Sequence, residues 1–243
     1  MLEFPSLHDW PKNPNDAVRI QNELRSRLII DSGIEKLEYI AAVDTAFNEK
    51  NNRLFAAAII MRYPELVDVD RAVAELEAAF PYIPALLAFR EGPVILKAIS
   101  RLRVRPDVII FPRQGIAHPR GIGMASHLGL WTDITSVGCA RKCLVGDYRT
   151  PGEAKGCCSS LFVSDREVGF VYRTKDNVKP MFITPGHKCS IRDAVDVVIK
   201  CLRDYRMPEP LRLAHLFAVK YKQSALRKME QKRTVGEKTL ESY

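Results

Sequence analysis

Three places in this 243-residue chain put chemically capable side chains where packing alone does not ask for them. Asp44 closes the apolar run Ile40-Ala41-Ala42-Val43. An acid at the end of an apolar strand is costly to bury without a partner. It is therefore either satisfied by neighbours at the strand edge or a ligand for a divalent cation, whose preference is for oxygen. Glu91 stands just before Gly92-Pro93 and reads as lying at or near a helix start, where the helix dipole favours a carboxylate. The third place is the block from Pro112 to Gly129, which holds two histidines, four glycines, two arginines and a serine. It follows the apolar run Asp107-Val108-Ile109-Ile110-Phe111, and loops at the C-terminal ends of strands are where α/β sheets bind ligands. Glycine there lets backbone approach a ligand closely.

The elements that must carry these residues follow from pattern. Residues 16–30 space Ala17, Ile20, Leu24 and Leu28 as one helical face, with Asn15 or Asp16 near the cap. Residues 38–47, 54–63 and 66–70 read as three antiparallel strands, the first two joined by a turn at Asn51-Asn52. Residues 71–80 are ambiguous, because good helix formers directly follow a strand. Pro81-Tyr82-Ile83-Pro84 fits neither a helix interior nor a central strand. A basic helix after Gly92-Pro93, a buried strand over 106–111, a helix over 124–131 and a strand over 135–139 come next. A strand pair over 168–173 and 181–184, a helix capped by Ser190, and a last helix over 211–226 complete the series. The mixture is α/β, with parallel and antiparallel pairs in one domain spanning 1–243.

Composition excludes other classes. Apolar residues make up 47%, so global disorder is out. The longest apolar run, Leu54 to Met61, falls far short of the roughly 20 residues a membrane span needs. The N-terminus lacks the basic start and apolar stretch of a signal peptide, which predicts a cytoplasmic protein. The six cysteines form no CxxC pair and read as reduced thiols. Net charge is +8, and half of it lies between Lys220 and Tyr243, where seven bases face three acids. That stretch, 221–243, reads as a basic, disordered tail suited to an anionic partner.

The segments IAAVDTAF, PYIPALLAFREGP, GIAHPRGIGMASHLG, ARKCLVG and YRMPEPLRLAH together resemble the endonuclease V family (deoxyinosine 3′ endonuclease) over nearly the whole chain. The resemblance implies an RNase H-like fold, a mixed five-stranded sheet flanked by helices. It implies a Mg²⁺-dependent endonuclease, with Mn²⁺ as substitute, acting in DNA repair. Such an enzyme cuts inosine-containing DNA, and in some relatives RNA, one nucleotide 3′ of the lesion. It implies metal-binding carboxylates at Asp44 and Glu91 and a catalytic-site histidine at His215. A wedge falls at Pro81, Tyr82, Ile83 and Pro84, and a base pocket at Gly115 and His118. It also implies a monomer without membrane association.

Two positions depart from the family pattern. Where the strand normally ends in an aspartate followed by glycine, this chain has Pro112 and Arg113. One metal-binding carboxylate is thus missing, and a cation stands beside the gap. Asp107 cannot substitute: five residues back on the strand it lies roughly 16 Å away and faces the opposite side. The family's lysine is Arg141 here, which keeps charge but not the compact ammonium. Two readings stay open: a working endonuclease, and a protein that binds inosine-containing or distorted nucleic acid without efficient cleavage.

Overall fold

The computed structural model describes residues 1–240, with side chains through residue 231. Five helices and nine strands alternate along it: α1 (Pro14–Arg25), β1 (Tyr39–Asn48), β2 (Arg53–Arg62), β3 (Val67–Glu77), α2 (Leu87–Ser100), β4 (Val108–Phe111) and α3 (Met124–Thr132). Then follow β5 (Thr135–Ala140), β6 (Asp147–Tyr148), β7 (Cys158–Val163), β8 (Arg166–Tyr172), β9 (Met181–His187), α4 (Ile191–Lys200) and α5 (Glu209–Leu240).

All nine strands join one sheet in the order β3-β2-β1-β4-β5-β9-β8-β7-β6. The first five are the mixed sheet expected from the resemblance: an antiparallel meander β1-β2-β3, then β4 and β5 parallel to β1. The sheet is wider than expected, because four antiparallel strands continue it beyond β5. The central strands are near-continuous apolar runs because helices cover both faces. Ala41, Val43 and Phe111 pack toward α2 and α3, while Ile40, Ala42 and Ile110 pack toward α4 and α5.

Several sequence expectations are corrected. The α1 cap is Asn13, whose side chain accepts the Asp16 N–H, so the helix starts and ends earlier than read. Residues 71–77 extend β3, since pairing with β2 overrides their helix propensity. Glu91 is not at a helix start: α2 begins at Leu87 and carries Pro93 inside it. The buried face of Ala88, Val94, Ile95 and Ile99 holds that helix together despite the lost N–H. The Asp107 carboxylate accepts the Glu38 and Tyr39 N–H groups at 2.9 and 2.8 Å, pinning the start of β1 at the end remote from Asp44. All six cysteines are free thiols. Positions 221–240, read as tail, continue α5, and 241–243 lie outside the described residues. Among the described residues no helix is long and apolar enough to cross a membrane.

Candidate active site

β1 delivers Asp44 to the sheet centre, and the parallel register with β4, carried two residues past Ala42–Ile110, sets it level with Pro112. Asp44 is buried. Its Oδ1 accepts the Thr45 N–H at 2.8 Å, and its Oδ2 meets Nδ1 of His215, projected from α5, at 2.7 Å. α2 brings in Glu91, also buried. Glu91 Oε2 accepts the Thr45 hydroxyl at 2.9 Å, and an NH₂ group of Arg113 donates to Oε1 and Oε2 at 3.1 and 3.3 Å. Asp44, Glu91 and His215 are thus brought together, with Arg113 among them. Burial works against the Arg113 charge, but the carboxylates of Glu91 and Asp44 outweigh it and raise its pKa above the usual arginine value.

This donor set does not suit a hard divalent cation. All four carboxylate oxygens already have partners, and a guanidinium occupies the position facing Glu91. Magnesium is usually held by one or two carboxylates together with phosphate and water. No other acid fills the gap. Asp133 pairs with Lys188 at 2.7 Å, and Asp147 lies exposed on β6 at the sheet edge. Among the described residues no three His, Cys, Asp or Glu side chains are grouped to hold a metal ion.

Beside the carboxylates opens a cavity of about 780 Å³ between the 81–85 loop, the end of β4 and the end of β5. Its described lining includes five cations, Arg113, Arg141, Lys142, Lys179 and Arg206, and no acid. The charges crowd one another: burial and the nearby Arg141 lower the Arg206 pKa from its usual value. Sequence reasoning missed Lys142, Lys179 and Arg206. They come from three separate loops, and no local pattern says that they converge. Gln114 also lines the cavity, donating to the Lys142 carbonyl at 3.0 Å while its buried Oε1 has no partner.

The 81–84 loop is held at both ends. Arg90 donates to the Phe80 carbonyl at 2.5 Å. The Ala85 carbonyl receives His118 Nε2, Arg120 and Gln21 at 2.8, 3.1 and 3.1 Å. Tyr82, between these anchors, is 68% exposed, and Tyr82 and Pro84 line the cavity while Pro81 and Ile83 do not. His118 lines it as well, but both ring nitrogens are engaged: Nδ1 accepts the Arg120 N–H at 3.2 Å, so Nε2 carries the proton donated to Ala85. Burial pushes the His118 pKa down to about 4, keeping the ring neutral at pH 7.

Gly115 lies beneath the cavity and does not line it. Its N–H donates to Thr184 Oγ1 at 2.7 Å, and a Cβ there would fall 1.9 Å from the Pro185 carbonyl oxygen. Gly138 on β5 meets the same backbone from the other side, where a Cβ would lie 2.4 Å from Gly115 N. Behind the cavity wall, main chain is therefore packed on main chain.

Comparison with known proteins places this architecture. The family model for Endonuclease V matches residues 22–216. The Endonuclease V of Methanothrix thermoacetophila is 41% identical, over 90% of this chain and 96% of its own. The crystal structure of Endonuclease V from Streptomyces avermitilis superposes with a TM-score of 0.85 at 34% identity, covering 89% of this chain and 96% of that one. The Ciona intestinalis Endonuclease V, crystallised with DNA containing an inosine, shares the fold at a TM-score of 0.75 and 22% identity, over 87% of this chain and 98% of its own. Matched across most of its length in sequence and in fold, the chain belongs to the Endonuclease V family, whose members are nucleases.

Proposed function

We propose that this protein recognises nucleic acid at deaminated bases, inosine foremost, and cleaves it weakly. The observation that carries the reading is an acid-free cavity of five cations beside an anchored, exposed Tyr82. Cations collect backbone phosphates, and a wedge aromatic stacks where a base has been turned out. The turned-out base enters beside Gln114, whose unpartnered Oε1 accepts a hydrogen bond from its edge. The DNA held by the Ciona relative contains an inosine, which supports this choice of base. Arg141, at the mouth, takes phosphate charge.

Weak cleavage follows from Asp44 and Glu91 being committed to His215, Thr45 and Arg113. A second reading, Mg²⁺-dependent cutting one nucleotide 3′ of the lesion in DNA repair, draws on the Asp44–His215 pair, which sets a histidine beside the carboxylates. It requires Arg113 to release Glu91.

The test is binding and cleavage of single-inosine DNA and RNA oligonucleotides against adenosine controls, in Mg²⁺ and in Mn²⁺. Inosine-preferring binding with slow or absent cutting is expected. Equal affinity for both bases would overturn the base reading, and rapid cutting 3′ of inosine would establish the second reading.

A further inference from the structure

We propose that Arg113 is the built-in cation of this site: its guanidinium holds Glu91 on one side and takes a nucleic-acid phosphate oxygen on the other, so the chain grips its ligand without a divalent metal. The inference rests on the nucleic-acid reading above, and it follows from the mismatch between the donor set and a metal.

Two roles of a bridging metal are to neutralise the carboxylates and to bind a phosphate. Arg113 already fills the first, through its contacts with Glu91 at 3.1 and 3.3 Å and its place in the field of Asp44. Its side chain is one-third exposed and forms part of the cavity wall, so the same group faces the space into which phosphate would come. A guanidinium has five N–H donors in a planar fork. Glu91 and the Pro112 carbonyl engage only its two terminal nitrogens, and its Nε is buried without a partner. Nε is out of reach of the cavity, but each terminal nitrogen carries two N–H bonds and the Pro112 carbonyl takes only one of those on its nitrogen, so a terminal donor remains for a second anion. A planar fork suits bridging between carboxylate and phosphate better than an ammonium does. Arg141 and Lys142 on the same wall add to the attraction, and no acid on the lining opposes it.

The two changes at 112 and 113 then act as one. Pro112 removes the acid that would face Asp44, and Arg113 supplies the charge that a metal would have brought. Restoring only the acid leaves Arg113 in place.

Fluorescence anisotropy of the full chain with a single-inosine DNA oligonucleotide, and with its adenosine counterpart, in EDTA and in Ca²⁺, tests this. Affinity is expected to agree within about twofold between the two conditions. Arg113→Gln should lose about tenfold or more in both, with Arg113→Lys recovering part of it. Calorimetric titration with Mn²⁺ alone provides a readout independent of nucleic acid. The native chain is expected to bind none, and the Pro112→Asp, Arg113→Gly double variant to gain a site. Thermal melting checks that each variant folds.

Binding that collapses in EDTA, Mn²⁺ uptake by the native chain, or unchanged affinity in folded Arg113→Gln would each overturn the proposal. So would absence of binding to either oligonucleotide. Equal, metal-independent binding of both oligonucleotides would refute inosine reading and leave the Arg113 assignment standing.

Discussion

Tyr82 and His118 come from separate loops, joined where His118 meets the Ala85 carbonyl, and do different work. Tyr82 is solvent-exposed between two anchored carbonyls, so its removal should cost binding and not folding. Tyr82→Ala should weaken inosine-oligonucleotide binding by about 1 to 3 kcal/mol with an unchanged melting temperature. Unchanged affinity would remove it from the wedge. His118 is expected to show in pH dependence. Its folded pKa, about 4, lies below the unfolded value of 6.5, so the folded state binds fewer protons between the two. Its stabilising contribution is complete above pH 6.5 and is lost as pH falls toward 4, amounting to on the order of 3 kcal/mol. Urea midpoints at pH 7 and pH 5 should therefore differ less for His118→Gln than for the native chain; an equal difference would refute this assignment. At this scale the sequence showed the missing acid at 112. It did not show that Arg113 would turn onto Glu91, because that bond joins residues on different elements.

At the scale of elements, strands with strong burial were the most legible. β1, β2 and β4 are apolar on both faces, and their place in a mixed sheet between helix layers accounts for that. The exposed ribbon was not legible. β6 and β7 have half-open faces and no clear alternation; β7 is placed by pairing with β8, and the two-residue β6 only by pairing with β7. Glu91 was misplaced because Pro93 suggests a helix start, whereas tertiary packing carries α2 through it. The seam beneath the cavity gives an element-scale prediction. Gly115→Ala should destabilise the fold by about 3 kcal/mol or more, because the new methyl meets the Pro185 carbonyl. A base-pocket role alone would instead predict a normal melting curve with altered inosine preference, and calorimetry beside anisotropy separates the two.

For the whole molecule, charge sets the behaviour. The net +8 is unevenly placed, with the cavity gathering five cations from distant segments. If all five meet phosphates, the slope of log affinity against log salt for duplex DNA should be about −4.5. A slope near zero would show that phosphates are not the ligands. The meander, the mixed sheet and the family were all readable because they depend on patterns local to each segment. The cavity's charge was not, because Arg141, Lys179 and Arg206 meet only once β5, β9 and α5 have assembled.

The packed main chain behind the cavity wall decides how the site can change. Gly115 and Gly138 leave no volume for any side chain, whereas Tyr82, Arg141 and Lys179 stand at the rim with solvent beside them. A randomised library confined to the rim should yield mostly folded proteins with shifted ligand preference. One that includes Gly115 and Gly138 should yield mostly insoluble protein. New specificities are therefore within mutational reach through the rim alone, against a backing that selection must hold fixed.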